Sequence, residues 1–385
     1  MPNGVESVSG KLRVYFRWAQ KLHREPLGLE DTPGNRLHAE QMVSMIRYEI
    51  QAGRFDYARW FPKSKSLEDS RLGRWIDIWL EVEAGKLAPS TLRGYRAASA
   101  RIRRMFGDAQ PDRLDRVSVE QWIANELSSL SSKTIRDTLS VFSQVFELFR
   151  ARHPDARNPI AGIKTRLPDD NEPDPFSREE INLILNTPTK RVQELALVQF
   201  LLWSGCRVSE GIALAWDDVD LARGMVRFRR AKVRGQYRVT KTRRSDRAIQ
   251  VLPPALSALL SQQGKTAALA PVEVPILQRD NRSIKQERHR FVFLNSNTGR
   301  PFFDDFRLRD RFFRTHLLHA GVRYRGPGQC RHTFASQALT AGAPTAWILD
   351  HLGHTSERML LTRYAKWIPS DAGGLVEQIA QKLGI

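Results

Sequence analysis

A proline-rich, acidic segment near the middle of the chain most limits how the chain can fold. Residues 166–176 read RLPDDNEPDPF. Proline fixes φ and removes a backbone donor, so this stretch cannot continue a helix or a central strand. We therefore predict a linker over 166–176. A chain of 385 residues also exceeds one ordinary hydrophobic core, so two or three domains are expected.

The first 65 residues predict a small α/β domain. Residues 11–18 (KLRVYFRW) alternate apolar with basic or polar side chains, which is typical of a half-buried strand. The basic residues on its outer face are Lys11, Arg13 and Arg17. A turn region containing Gly28 is expected next, and then a helix from Pro33 to about Gln51, because cap residues precede the proline.

Residues 66–165 have helical periodicity throughout and predict a helical domain. Pro89 and Ser131 mark the starts of two of its helices. Hydroxyls and cations near helix starts suit phosphate contacts, although an ordinary solvated basic face is the alternative. The residues proposed for such contacts are Thr91, Arg93, Arg96, Lys133 and Arg136.

Residues 177–385 mix helices with short strands. Ser177 and Glu180 form a capping-box pattern, and a long helical stripe runs from Val192 to Trp203. Strands are predicted at 225–230, 236–240 and 247–252, and helices resume around 304–320. The predicted fold class is mostly α with small β elements (α+β).

The charge balance indicates an anionic partner. Lys plus Arg is 61 and Asp plus Glu is 42, which gives a net charge of +19. The natural partners are nucleic acid or an anionic membrane surface. The sequence contains no apolar run of membrane-spanning length, and the N-terminus has no basic-then-apolar signal, so nucleic acid is favoured and no membrane partner is expected.

The sequence predicts no metal or cofactor. The two cysteines, Cys206 and Cys330, lack the spacing of metal ligands and are too few for a disulfide framework. This usage fits a reducing compartment, and each cysteine is interpreted as a small buried residue. The chain also has no carboxylate cluster with metal spacing and no Gly-rich loop ending in GK[ST], so two-metal catalysis and nucleotide hydrolysis are not supported.

A set of polar side chains spread over the C-terminal half could hold and attack a phosphodiester. Arginines bind non-bridging oxygens in bidentate fashion and stay charged, a lysine near arginines can protonate a leaving oxygen, and a phenol can act as nucleophile. Lys241 lies in a probable hairpin, in a run that also contains Arg243, Arg244 and Arg247. The set comprises Arg207, Lys241, Arg331, His354 and Tyr364.

Four blocks in order make the chain resemble the tyrosine recombinases, and among them the temperate-phage integrases. The blocks are LLWSGCRVSEGIALAWDDVD, VTKT with the following S-x-R, CRHTFASQAL and LGHTSERMLLTRYAKWIP. The resemblance implies that Arg207 and Arg331 are the catalytic arginines, with Glu210 as the buried partner that orients Arg207. It also implies that His354 is a phosphate donor, Tyr364 the nucleophile and Lys241 the general acid. Lys241 is favoured over Lys232 because the family's pattern of TKT followed by S-x-R surrounds it.

One position departs from the family pattern. The family usually carries His, and many phage integrases carry Tyr, three residues before the second arginine, where this chain has Gly328. Either the Tyr364 proton goes to water or another group, or the enzyme is slower than its relatives, or a laboratory substitution has silenced it. His332 points about 100° away from Arg331 on a helix and is interpreted as structural. Arg243, Arg244 and Arg247 are expected to contact the DNA backbone.

The resemblance extends to the upstream regions and to partners. Residues 1–65 resemble an arm-type DNA-binding domain with a sheet that faces the major groove, so Lys11, Arg13 and Arg17 are expected to contact DNA. Residues 66–165 resemble a core-binding domain and 177–385 a catalytic domain with a C-terminal tail. This implies site-specific integration and excision of a phage or prophage element through a 3′-phosphotyrosine, on double-stranded DNA attachment sites, in the bacterial cytoplasm at the nucleoid.

The resemblance also implies a homo-tetramer on DNA and makes an excision factor and a host DNA-bending protein candidate partners, without deciding whether either takes part. The tail after Pro369 is expected to dock on a neighbouring protomer. Two alternatives stay open from the sequence: relaxation of DNA like a type IB topoisomerase, and a non-catalytic DNA-binding or directionality factor.

Overall fold

The computed structural model describes residues 4–18, 21–62, 64, 71–164, 173–240, 245–353 and 380. The α-helices in these ranges are α1 Pro33–Gln51, α2 Tyr57–Trp60, α3 Leu72–Ala84, α4 Pro89–Phe106, α5 Arg116–Asn125, α6 Ser132–Arg150, α7 Arg178–Asn186, α8 Val192–Ser204, α9 Val208–Gly211, α10 Pro253–Thr266, α11 Asp305–Leu308, α12 Arg314–His319, α13 Gln329–Thr340 and α14 Thr345–Leu352. The strands are β1 Val5–Val8, β2 Lys11–Trp18, β3 Lys21–Glu30, β4 Val219–Asp220, β5 Met225–Phe228, β6 Arg230–Val233, β7 Gln236–Val239, β8 Arg247–Gln250, β9 Val272–Leu277 and β10 Ile284–His289.

The N-terminal region folds as an antiparallel sheet in the order β1-β2-β3 with α1 against it. Its core joins the inner face of β2 to the buried side of α1, and the predicted strand and helix are both confirmed. The predicted turn around Gly28 is wrong. Gly28 lies inside β3 with φ +72°, and the register slips between Lys11 and Arg13. A glycine at positive φ bulges a strand here instead of ending it.

The region from α3 to α6 is helical, as predicted, and has a core of its own. Trp122, Phe142 and Phe146 are fully buried in it. Helix α6 begins where the sequence indicated, because the Ser131 hydroxyl accepts a hydrogen bond from the Thr134 amide.

The C-terminal region is built around α8, which packs against α10 and α13. Its N-terminal helix α7 carries the predicted capping box, with Ser177 and Glu180 satisfying each other's backbone amides. One sheet has the order β4-β5-β8 and contributes Val226, Phe228 and Ile249 to the core.

A second sheet, in the order β10-β9-β7-β6, contains a hairpin that the sequence did not predict. Strands β9 and β10 pair antiparallel, and β7 joins β9 in parallel through Tyr237 and Ile276. Most of β10 is exposed, so it lacks the alternation of apolar and polar residues that identifies a half-buried strand.

The contacts divide the chain into two compact units. One comprises residues 1–82 with 94–166, and the other 83–93 with 167–385. Within the described ranges, none of the helices is long and apolar enough to cross a membrane.

Candidate active site

Arg207 and Glu210 lie in the tight turn that follows α8. Gly205 ends that helix in the left-handed conformation (φ +61°), and Arg207 immediately precedes α9. The Glu210 carboxylate accepts a hydrogen bond from the Arg207 backbone amide (2.9 Å) and another from Arg207 Nη1 (2.8 Å). The Arg207 side chain is 45% exposed whereas that of Glu210 is 2% exposed, so a buried carboxylate orients a guanidinium that solvent can reach.

Arg247 reaches the same carboxylate from β8. Its Nη2 lies 3.0 Å from Glu210 Oε2 and its Nη1 3.3 Å from Glu210 Oε1. Its Nε donates to the His351 carbonyl at 2.8 Å, and the guanidinium carbon lies 4.8 Å from the centre of the Phe228 ring. The expectation that Arg247 contacts the DNA backbone is wrong, because Nε, Nη1 and Nη2 of this buried side chain all face protein acceptors. In the sequence, only the S-x-R spacing after Lys241 indicated that Arg247 differs from its basic neighbours.

Arg331 lies on α13 and is buried. Its Nη1 donates to the Gly205 carbonyl (2.8 Å) and its Nη2 to the Leu352 carbonyl (2.7 Å). The last carbonyls of a helix have no intrahelical partner, and cations near them are favourable because of the helix dipole. Arg331 and Arg247 therefore both stabilise the C-terminal end of α14, one through Leu352 and the other through His351.

These contacts gather positive charge around one carboxylate. Burial acts to raise the pKa of Glu210, but Arg247, and after it Arg207 and Arg331, outweigh burial and hold that pKa below its usual range. Glu210 is therefore ionised at neutral pH. With three guanidinium groups around one carboxylate, the cluster has an excess of positive charge that suits an anionic ligand such as a phosphodiester.

His351 is a buried residue at this site that the sequence did not single out. Burial lowers its pKa to about 4, although the hydrogen bond between Nε2 and the Ser204 carbonyl (3.0 Å) acts in the opposite direction. Its ring stacks on Phe334 with centroids 4.6 Å apart. A neutral imidazole thus packs α14 against α13, and no sequence pattern distinguished it from any other histidine.

The two cysteines are buried, as predicted. Burial raises the pKa of Cys206 to about 12 and also raises that of Cys330, so both thiols stay protonated. Among the residues that the structure describes, no group of three His, Cys, Asp or Glu side chains could hold a metal ion.

Gly328 directly precedes α13 and is exposed. A Cβ atom added to it would meet no other heavy atom within 4 Å, so the backbone at this position has room for a larger side chain. His332, one residue after Arg331, is half-buried.

Five predicted residues fall outside the described ranges: Lys241, Arg243, Arg244, His354 and Tyr364. The competing lysine, Lys232, is described. It is 7% exposed on β6, with Nζ 4.1 Å from the centre of the Tyr237 ring. Burial lowers its pKa to about 8.

The predicted DNA-contact residues differ in accessibility. The exposed ones are Lys11, Arg17, Arg93, Arg96, Lys133 and Arg136. Arg13 is held by Glu6, with Nε 2.8 Å from Oε1, and Lys133 pairs with Asp137 at 2.7 Å. Thr91 is half-buried in the first turn of α4.

Comparison with known proteins gives two family matches. Residues 2–65 match an arm DNA-binding domain, and residues 175–368 match the phage integrase family. The prophage integrase IntR of Escherichia coli K12 is 30% identical, covering 96% of this chain and 95% of its own length. The putative defective protein IntQ of the same strain is 27% identical, covering 89% of this chain and 93% of its own.

Solved structures share the fold at lower identity. The Tn1549 transposon integrase, in complex with a circular intermediate DNA, matches with a TM-score of 0.64 at 19% identity, over 81% of this chain and 100% of that one. A lambda integrase tetramer bound to a Holliday junction matches with a TM-score of 0.58 at 13% identity, over 97% of this chain and 96% of that one. The chain belongs to the phage integrase family and is a tyrosine-type site-specific recombinase.

Proposed function

We propose that this recombinase cuts and rejoins double-stranded DNA at attachment sites to integrate and excise a phage or prophage element. In this proposal, the phenolic oxygen of Tyr364 bonds to the scissile phosphorus while the bond from phosphorus to the 5′ oxygen breaks. The products are a 3′-phosphotyrosine and a free 5′-hydroxyl, which then attacks the phosphotyrosine of the partner strand. The phosphotyrosine ester conserves the energy of the broken bond, so rejoining requires neither ATP nor a metal ion.

The proposed roles of the side chains follow from charge. Arg207 and Arg331, together with His354, bind the non-bridging oxygens, where negative charge develops in the transition state. Lys241 gives a proton to the departing 5′ oxygen. Gly328 has no side chain to accept the phenolic proton of Tyr364, so that proton goes to water or to another group.

The observation that best supports this proposal is the shared cluster around Glu210. Arg207 and Arg331 come from sequence blocks more than 100 residues apart, yet Arg331 donates to the Gly205 carbonyl, two residues before Arg207. Removing one preorganised donor of this kind typically costs on the order of 3 kcal/mol of transition-state stabilisation. Guanidinium groups gathered in this way suit an anionic ligand such as the scissile phosphate.

The domain arrangement and partners are part of the same proposal. Residues 1–65 bind arm-type DNA, 66–165 bind core DNA, 166–176 link them to the catalytic domain, and the exposed basic residues named above contact phosphates. Four copies assemble on DNA, helped by an excision factor and a host bending protein, at the bacterial nucleoid. Support comes from the arm-domain match and from the likeness to a lambda integrase tetramer.

The decisive test is covalent trapping. Footprinting on the DNA that flanks the gene defines the site, and a nicked suicide duplex carrying that site should form a protein–DNA adduct with the wild-type chain. Tyr364→Phe should form none. Exchange between two labelled sites identifies recombination, whereas relaxation of supercoils without exchange would indicate a topoisomerase. If the wild-type chain forms no adduct on its mapped site, the enzymatic proposal is wrong.

Assembly is tested separately through the tail, which lies outside the described residues except for Ala380. Deletion from Gly373 onward should weaken assembly of several protomers on DNA more than binding to a single site. An equal loss of both would contradict the docking role of the tail.

A further inference from the structure

We propose that Arg247 is a positioning residue for DNA cleavage: it holds Arg207 through Glu210, and it holds the segment that leads to His354 through the His351 carbonyl. The inference rests on the proposed function, because Arg207 and His354 are the phosphate-binding groups in it. Arg247 acts through these groups and does not itself touch the DNA.

The first reason is geometric. A guanidinium presents donors on a fixed planar fork, and all three nitrogens of Arg247 are used. Nη1 and Nη2 face the two oxygens of Glu210 (3.3 and 3.0 Å), and Nε faces the His351 carbonyl (2.8 Å). Phe228 lies against the guanidinium and limits its movement. A lysine could pair with Glu210 but could not reproduce the fork.

The second reason is what Arg247 connects. Glu210 fixes the amide and the guanidinium of Arg207, whereas His351 lies in the last turn of α14, three residues before His354. Arg331 caps the same helix through Leu352. One buried side chain therefore ties the first-arginine turn to the end of the helix that precedes the C-terminal block.

The third reason is electrostatic. The charged or titratable groups that face Glu210 in the described part of the chain are Arg207 and Cys206 from its own turn, Arg331 from α13 and Arg247 from β8. Cys206 stays a neutral thiol, and Arg207 is half-exposed. Arg247 makes the largest favourable contribution to ionised Glu210. Without it, only Arg207 and Arg331 oppose the effect of burial, so the balance shifts toward the protonated carboxyl, which cannot hold Arg207 as an ion pair.

The test uses the full chain and the nicked suicide duplex defined above, with single-turnover adduct formation measured against pH. Arg247→Met should lower the rate constant about 10- to 100-fold, the range seen in metal sites when the partners that orient the ligating side chains are lost. Its rate should also fall further as the pH drops from about 8 to about 6, because a buried Glu that has lost its strongest ion-pair partner is protonated more readily. The wild-type chain should not show this additional acid limb.

Three variants separate positioning from loss of fold. Arg247→Lys should keep the wild-type pH profile at a lowered rate, because the ion pair survives but the contact with His351 does not. Arg247→Met combined with Glu210→Gln should lose the acid limb. Arg227→Met, on neighbouring β5, removes an exposed arginine paired with Asp246 and should leave rate and profile unchanged.

The outcomes are distinct. A wild-type chain that forms no adduct overturns the proposed function and this inference together. If the wild-type chain is active, two results overturn this inference and leave the proposed function standing. One is an Arg247→Met pH profile parallel to that of the wild-type chain, and the other is an acid limb that persists in the double variant. If Arg247→Met does not fold, as judged by its thermal midpoint, Arg247→Lys decides: unchanged cleavage by this variant refutes the role.

Discussion

Substituting Gly205 should damage both the stability of the C-terminal unit and the placement of Arg331. Gly205 has φ +61°, and a Cβ built on it would lie 2.5 Å from Phe334 Cδ1 and 2.9 Å from Leu352 Cδ2. Both neighbours are core residues of α13 and α14 with little room to move. The Gly205 carbonyl is also the acceptor for Arg331 Nη1. Gly205→Ala must therefore displace either the turn or the helices that hold the arginine.

Gly299 supplies a matched control for this substitution. Its φ is +62°, but a Cβ there would meet nothing within 4 Å. Both alanine variants carry the left-handed cost of about 1 to 2 kcal/mol. Only Gly205→Ala adds overpacking, which costs about 1 to 3 kcal/mol. Since about 1 kcal/mol shifts the midpoint of a unit this size by roughly 2 to 4 °C, calorimetry can measure the difference.

The same pair of variants also predicts a difference in catalysis. Gly205→Ala should slow adduct formation on the suicide duplex by about 100-fold, the usual effect of moving a catalytic group by about 1 Å. Gly299→Ala should cleave like the wild-type chain. Equal thermal shifts for the two variants, or normal cleavage by Gly205→Ala, would refute the reasoning from steric crowding.

Four further outcomes are expected. Lys232→Met should stabilise the chain at neutral pH by at most about 3 kcal/mol, because the pKa of this buried lysine is lowered from 10.5 to about 8. Lys232→Met should also leave adduct formation intact, whereas Lys241→Met should abolish it. The reverse pattern would mean that Lys232 is the general acid and Lys241 is not. Burial lowers the pKa of His351 from 6.5 to about 4, so on acidification the unfolded chain binds a proton at this residue at a higher pH than the folded chain does. The free energy of unfolding should therefore fall by about 3 kcal/mol between pH 6.5 and about 4. His351→Gln should flatten this part of the stability curve. Gly328→His should fold normally and accelerate adduct formation, and an unchanged rate would mean that the phenolic proton already has an adequate acceptor. The affinity for DNA should fall with salt with a logarithmic slope of about 0.9 per neutralised phosphate, and a flat salt dependence would exclude backbone contacts by the exposed basic residues.

Local signals in the sequence predicted much of the fold. The capping residues Thr32, Ser131 and Ser177 each lie where a helix begins, because the hydrogen bonds they make are within three residues along the chain. The predicted strand over 11–18 is also confirmed, since its alternation of apolar and basic residues matches the two faces of the sheet.

The sequence could not show which distant residues pair. Arg247 looked like one more cation in a basic run, because its partners Glu210 and His351 are 37 and 104 residues away. Burial of His351 likewise depends on the packing of α13 and α14, which no local pattern encodes. The exposed strand β10 escaped prediction for the opposite reason: it is defined by backbone pairing with β9 and not by a buried face.

The second sheet has a mechanical consequence for β7. This strand pairs antiparallel with β6 on one side and parallel with β9 on the other. Because both of its edges are hydrogen-bonded, β7 can be displaced only if backbone hydrogen bonds break on one side or the other. The hairpin β9–β10 thus stiffens the hairpin β6–β7, although it contributes no side chain to the cluster around Glu210.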